Sequence, residues 1–470
     1  MTEHATDNAL LAAWQKTLAR KGGLPAILST RGEALRSFEE VEGEAAQLGN
    51  VFEGLPPRSI AGVQVGNSER WPAILLALWR RKVIPMPLGC QMQPTEAELA
   101  LSTCGAAGII KLEAGKVALH RASAAGSGRV RSEPATEFLK LTSGTTSLPR
   151  AVCFTASQLL ADCENICATM GIGPDDTNFG VIPFSHSYGF SHLITPLLVF
   201  GIPLVVSDDR MPRAILEGLA RTGATVFPAT PLFFQKLGHM EKAPQLPKLR
   251  LCISAGAPLL RAAAAPFTAK FGLKIHTFYG ASECGGIAYD ATEAPIYEDG
   301  FLGTVMSGVS ISHDAPEAGA ITVSGAAVGE GYFPETDAAL ADGRFVPADL
   351  IGRAERGLFL AGRVSDVINV AGRKLNPLEI EALLTQFSGV KQAIVFGVRS
   401  ELRGEEPVAC IAGNGIDREG LLRYCRERLS PWQIPRDLWM VDEIPANERG
   451  KVSRRELAEC YGARTASRKL

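Results

Sequence analysis

The chain has no apolar run long enough to cross a bilayer. A spanning helix needs about 20 predominantly apolar residues. The best candidate, Leu193 to Val206, is interrupted by Thr195, Pro196, Gly201 and Pro203. There is no excess of positive charge. Lys and Arg number 48 against 50 Asp and Glu, a net charge of −2. That argues against a protein that holds nucleic acid through an overall basic surface. The ten cysteines are scattered, and no CxxC pairs with a second CxxC. Cys163 and Cys167 lie one helical turn apart, but a zinc site or a disulfide framework is not indicated, and a reducing cytoplasm is expected. Internal repeats and coiled-coil heptads are absent. The first residues carry Glu3 and Asp7 and no apolar run before a cleavage-like site, so no secretion signal is expected.

What is present suits a soluble globular protein of several domains. With 470 residues, 46% hydrophobic and 21% charged, the chain can bury a sizeable core. At about 150 residues per domain, two to three domains are expected. Runs rich in Val, Ile and Phe (59–65, 177–183, 203–207, 225–228, 250–254, 274–279) alternate with amphipathic stretches (71–80, 157–170, 211–221, 231–239). This alternation predicts an α/β fold with mainly parallel sheet. Residues 122–136 are small, polar and charged and read as a linker. From about Gly300 to Tyr332 glycine and short strands predict a β-rich subdomain. After Arg363 the elements shorten (377–387, 391–397, 408–412, 418–429, 438–441), which predicts a small C-terminal α+β domain of ordinary size. The expected division is 1–362 and 363–470, joined by a hinge.

Four segments carry chemistry. Thr142-Ser143-Gly144-Thr145-Thr146-Ser147-Leu148-Pro149-Arg150 offers hydroxyls, a glycine and a cation, as a loop around phosphate oxygens would. It lacks the GxxxxGK[ST] spacing of a P-loop, and a polar surface turn has the same composition. Phe278-Tyr279-Gly280-Ala281-Ser282-Glu283-Cys284-Gly285-Gly286 follows a strand-like run, at the strand end where α/β ligand sites lie. It approaches the G-x-S-x-G nucleophile elbow, but position 284 is Cys and the pattern fails. Asp349 precedes Gly362-Arg363-Val364-Ser365-Asp366-Val367-Ile368-Asn369-Val370-Ala371-Gly372-Arg373-Lys374. Glu448-Arg449-Gly450-Lys451-Val452-Ser453-Arg454-Arg455 closes the series, and alone it reads equally as a solvated helix start.

Together and in this order, these segments resemble the adenylate-forming superfamily of acyl- and aryl-CoA ligases, luciferases and peptide-synthetase adenylation domains. TSGTTSLPR resembles the phosphate loop, Ser254 to Leu259 (SAGAPL) the adenine-edge segment, and YGASE the Tyr-Gly-x-Thr-Glu motif. PAD and GRVSDVINVAGRKLNPLEIE resemble the ribose and hinge motifs, and ERGKVSRREL the segment of the catalytic lysine. The resemblance runs over nearly the whole chain. It implies ATP and Mg²⁺, with Thr142, Ser143, Gly144, Thr145, Thr146 and Arg150 at the phosphates. Gly256, Ala257 and Pro258 would line adenine, with Tyr279 stacked on it beside Gly280. Ser282 would touch the α-phosphate and Glu283 would hold Mg²⁺. Asp349, helped by Arg363, would bind the ribose hydroxyls. Lys451 would be catalytic, Ser365 the hinge, and Ala371-Gly372 the thiol channel.

The same resemblance implies a reaction in two halves. A carboxylate, already ionised at pH 7, attacks the α-phosphorus of ATP, with positive charge offsetting the charge that accumulates. Pyrophosphate leaves, the C-terminal domain turns, and a thiol of CoA or of a carrier protein's phosphopantetheine displaces AMP. Four positions depart from the family pattern: Ser147 for Gly, Arg150 for Lys, Ser282 for Thr and Ser365 for Asp or Lys. Between Pro183 and Phe190 there is no acid to bind a substrate ammonium, so an amino acid is disfavoured. His186 resembles the aromatic gate of acyl- and aryl-CoA ligases, and Tyr188, Phe190, Thr230, Phe233 and Ala281 are pocket candidates. Without the resemblance, core packing is the commoner role for each of them. His186 and His192 are six apart, do not share a helical face, and are not expected to bind metal. A fatty or aryl carboxylate–CoA ligase is the first expectation. A stand-alone acyl- or aryl-AMP ligase loading a carrier protein is the second, and an inactive nucleotide- or acyl-binding module the third. No membrane span or nucleic-acid partner is expected.

Overall fold

The computed structural model describes residues 8–122, 136–142, 149–295, 297–313, 318–363, 366–371, 373–400, 403–445 and 452–467. The loop residues Ser143, Gly144, Thr145 and Thr146, together with Ser147, lie outside the described residues, as do Ser365, Gly372 and Lys451.

An eleven-stranded sheet forms the spine. Pro25–Leu28, Leu204–Val206, Asn178–Gly180, Val226–Ala229, Leu251–Ser254 and Ile275–Ala281 run parallel in that spatial order. Beyond them Gly285–Tyr289, Phe301–Val305, Gly357–Arg363 and Asp349–Ala354 continue the sheet antiparallel. Val226–Ala229 and Leu251–Ser254 are buried along their whole length, as strands covered on both faces must be. A second, four-stranded sheet is mainly parallel and contains Ile60–Gln64, Ile84–Pro87 and Gly108–Glu113. Val309–His313 and Ile321–Gly325 form part of a separate antiparallel sheet, so the glycine-rich stretch is indeed β-rich.

The helices pack where their sequences direct them. Trp71–Arg80 is buried from Trp71 to Trp79, as a helix apolar on every side must be. Ala156–Met170 begins with a capping box from Thr155 and Gln158 and ends on Gly171 at φ 61°, a conformation that suits glycine. Cys163 and Cys167 are buried on this helix, and all ten cysteines are free thiols.

One core cluster extends from Leu10 to Leu358. Another, from Ile368 to Leu438, belongs to a five-stranded sheet that contains the Val390–Ser400 and Gly404–Gly413 hairpin. The fold is thus a large α/β body with mixed sheets followed by a small C-terminal α+β body. Among the described residues, no helix is long and apolar enough to cross a membrane.

Candidate active site

The base of the phosphate-loop segment is a hairpin. Phe138–Thr142 pairs antiparallel with Arg150–Phe154, so Thr142 faces Arg150 and its hydroxyl donates to the Arg150 carbonyl at 3.2 Å. The strand register therefore sets the first hydroxyl of the motif against the backbone of its last residue. The Arg150 guanidinium lies 3.9 Å from the centre of the Tyr332 ring, and its Nη1 donates to Asp337 Oδ2 at 2.9 Å. Tyr332 arrives on Gly331–Phe333, which pairs with Arg150–Phe154. Its hydroxyl donates to Glu283 Oε1 at 3.0 Å. One aromatic side chain thus joins the loop cation to the carboxylate of the YGASE segment.

Glu283 follows the strand Ile275–Ala281. Burial pushes its carboxyl above the ordinary range, and the Tyr332 hydroxyl opposes that rise. Ser282 Oγ accepts from Ser187 Oγ at 2.9 Å. Gly280 has no room for a side chain, because a Cβ there would meet the Gly285 carbonyl at 2.5 Å. Asp162 backs the turn from the helix Ala156–Met170. It accepts from Ser191 Oγ at 2.6 Å and from Gly286 N–H at 3.1 Å.

Asp349 lies at the far side of the same strand end. Its Oδ2 accepts from the Tyr279 hydroxyl at 2.8 Å and its Oδ1 from Arg363 Nε at 2.5 Å. The register pairs Asp349 directly with Arg363, 14 residues on. Burial and the Asp349 carboxylate push the Tyr279 phenol well above its usual range. Burial disfavours the Arg363 charge, but Asp349 outweighs it and raises the guanidinium further. Gly256 adopts φ +85°, and a Cβ there would lie 3.8 Å from Thr230 Cγ2. The Ser254–Pro258 turn and Thr230 are therefore neighbours at adjacent parallel strand ends.

The acyl-pocket candidates separate. His186 Nδ1 accepts the Tyr188 amide at 3.2 Å, and Tyr188 OH donates to the Ile253 carbonyl at 2.9 Å. Thr230 and Ala281 keep part of their surface open. Phe233 is half-buried on the helix Pro231–Gly238. Phe190 is 1% exposed with its ring 4.3 Å from Phe138, so it packs in the core. Lys140, also buried, holds its ammonium 4.4 Å from the centre of the Phe154 ring. Ala371, the described member of the thiol-channel pair, is exposed. In the small body, Arg454 donates to Asp366 Oδ2 at 2.7 Å, to both Glu381 oxygens at 2.8 and 3.0 Å, and to the Val395 carbonyl at 3.0 Å.

Sequence reasoning missed Tyr332, Asp337 and Asp162, which hold Arg150, Glu283 and the Gly286 turn. It named Phe278 only as the start of a motif and set His192 aside as a metal ligand; both pack against Tyr188. A tyrosine in a glycine-rich β stretch and a phenylalanine ending a strand both read as core. Only the adjacency of Phe278 to Tyr279 was a signal.

The arrangement gathers hydroxyls, carboxylates and guanidinium groups around the carboxyl end of the parallel strand Ile275–Ala281, the kind of place where α/β ligands bind. The family model described as "AMP-binding enzyme" matches residues 14–333, and its "AMP-binding enzyme C-terminal domain" matches 379–451. The chain belongs to the AMP-binding, adenylate-forming enzymes. The chain is 30% identical over 334 residues to 2-succinylbenzoate–CoA ligase of Geobacillus kaustophilus (strain HTA426), covering 67% of each. It is 29% identical over 351 residues to long-chain-fatty-acid–CoA ligase of Bacillus subtilis (strain 168), covering 68% of this chain and 61% of that protein. Its fold matches ATP-bound MatB from Rhodopseudomonas palustris with TM-score 0.86, at 24% identity, over 97% of this chain and 99% of that one.

Proposed function

We propose that this AMP-binding enzyme is a carboxylate–CoA ligase acting on a fatty or aryl acid through an acyl-adenylate. The observation that carries the reading is the Arg150–Tyr332–Glu283 connection, which puts the phosphate-loop base beside the YGASE carboxylate. In this reading the division falls at 362/363. Thr142, Ser143, Gly144, Thr145, Thr146 and Arg150 hold the phosphates. Gly256, Ala257, Pro258, Tyr279 and Gly280 form the adenine site, and Asp349 with Arg363 the ribose site.

The chemistry demands charge compensation more than proton transfer. An ionised carboxylate approaches a polyanion, so the residues must orient the two anions and neutralise what accumulates. Arg150 and Lys451 supply positive charge, and Ser282 donates to an α-phosphate oxygen. Glu283 fits Mg²⁺: Oε1 is taken by Tyr332, and a cation that binds through one or two carboxylates plus substrate phosphates needs no closed protein cage. Among the described residues no cluster of three or more His, Cys, Asp or Glu forms such a cage. Mg²⁺ bound there supplies electrostatic stabilisation of the phosphates. His186 gates the acid, whose body lies against Tyr188, Thr230 and Ala281. The thiol arrives past Ala371 and Gly372 once Ser365 has turned. Ten free thiols suit the cytoplasm.

The test is AMP release over a panel of aliphatic and aryl acids, with and without CoA. CoA-stimulated AMP release with a thioester product is expected, and Lys451→Ala lowers the adenylation step by at least about a hundredfold, as loss of one transition-state donor does. Adenylation that is unchanged in Lys451→Ala refutes the mechanism. Pyrophosphate exchange indifferent to CoA transfers the acceptor role to a carrier protein.

A further inference from the structure

We infer that the acid pocket is short: Tyr188 and Phe278 close its inner end, and the chain activates compact carboxylates (short alkanoates or single-ring aryl acids) while excluding long fatty chains. The inference rests on the ligase reading above and narrows its substrate.

Tyr188 is fixed at both ends. Its amide donates to His186 Nδ1, and its hydroxyl reaches the carbonyls of Ile253 at 2.9 Å and Ala229 at 3.4 Å. These carbonyls lie at the carboxyl ends of two adjacent parallel strands, so the phenol lies across that edge of the sheet. Phe278 stacks against it, ring centres 5.9 Å apart and planes 16° apart. His192 stands edge-on behind both rings, at 4.6 Å from Tyr188 and 4.5 Å from Phe278.

Tyr188, Phe278 and Thr230 keep 7–8% of their surface open, whereas His192 and Phe190 keep 1%. Tyr188 and Phe278 are thus the outer rings of a group whose inner members are fully packed. Burial lowers the His192 pKa to about 3. His192 is therefore a neutral wedge that supports the two rings. Phe278 sits one residue from Tyr279, and Ser187, next to Tyr188, is hydrogen-bonded to Ser282. An acid whose carboxylate reaches Ser282 thus has its body directed at the stacked rings.

An open tunnel and a closed floor predict opposite trends. Each buried methylene contributes about 0.8 kcal/mol, so in a tunnel kcat/KM climbs about fourfold per carbon. Against a closed floor it falls once the body is full. The experiment measures kcat/KM for AMP release with butyrate, benzoate, octanoate and palmitate. Wild type is expected to favour butyrate or benzoate over palmitate by at least about a hundredfold. Phe278→Ala raises the octanoate-to-butyrate ratio at least about tenfold, and Tyr188→Leu, which keeps more volume, raises it less. Circular dichroism melts establish that both variants are folded. A wild-type rate constant that climbs through palmitate overturns the short pocket and leaves the ligase reading intact. A ratio unmoved in both folded variants overturns the assignment of the floor. Absence of AMP release with every acid overturns the ligase reading and this inference with it.

Discussion

Tyr332→Phe deletes one hydroxyl and keeps the ring. The hydroxyl donates to Glu283 at 3.0 Å, and the ring lies 3.9 Å from the Arg150 guanidinium. The variant therefore isolates the first contact from the second. Burial raises the Glu283 pKa, and the Tyr332 hydrogen bond lowers it part of the way back. A hydrogen bond to a charged group contributes about 1.5–3 kcal/mol, and about 1.4 kcal/mol corresponds to a tenfold change in the protonation equilibrium. Without the hydroxyl, Glu283 takes up its proton at a pH about 1–2 units higher than in wild type. The proton-free carboxylate is the form that suits Mg²⁺, so activity is lost sooner as pH falls. The assay is kcat/KM for AMP release against pH at low Mg²⁺, whose acid limb reports the free enzyme. That limb moves to higher pH, while the plateau above it stays near the wild-type value. Tyr332→Leu also removes the ring, a further loss of about 0.5–2 kcal/mol at Arg150, and raises KM for ATP at every pH. An acid limb of Tyr332→Phe that superimposes on wild type refutes the reasoning.

Two further outcomes follow from the same surroundings. Arg150→Met removes the loop cation and raises KM for ATP at least about tenfold; Arg150→Lys restores the charge without the stacked fork and falls between, and an unchanged KM in both variants removes Arg150 from the phosphate site. Lys140→Met stabilises the protein at pH 7 by on the order of 1 kcal/mol, because burial lowers the Lys140 pKa and the unfolded chain binds the extra proton. Wild-type stability then rises with pH toward the ordinary lysine range and the gap to the variant narrows; denaturant melts at pH 7 and pH 9.5 that show a constant gap, or a destabilised variant, refute it.

Much of the architecture was legible because it is written locally. Trp71–Arg80 was bounded correctly by an apolar run that ends at Arg80 and Arg81. The strands at 204, 226 and 251 were each found within a residue or two, since buried parallel strands are continuous apolar runs. The hairpin of Val390–Ser400 and Gly404–Gly413 was seen only in part. Its outer residues are polar, and the ladder there is held by backbone pairs that leave no hydrophobic pattern. Arg261–Phe271 went unnoticed, with Pro266 inside it. Of the candidate site, Asp349, Tyr279 and Arg363 were named from motifs and meet in space. Tyr332, Asp337 and Asp162 were not. Tyr332 acts on Glu283 49 positions away and on the still more distant Arg150, Asp337 acts on Arg150 187 positions away, and Asp162 on Gly286 124 away; only the pairing of Gly331–Phe333 with Arg150–Phe154 and the packing of Ala156–Met170 create those contacts. Phe190 looked like a pocket residue by its place beside His186, yet the helical turn directs its ring to Phe138.

The Arg454 cluster has a mechanical meaning. One guanidinium is tied to Asp366, next to Ser365 in the chain, and to Glu381 and Val395 in the body of the small domain. It lies three residues beyond Lys451 in the chain. The knot works like a keyed shaft within the small body: the turn at Asp366, the helix of Glu381, the strand of Val395 and the start of the last helix are held to move as one piece. Losing this one arginine would let those elements slip past one another while each stays whole.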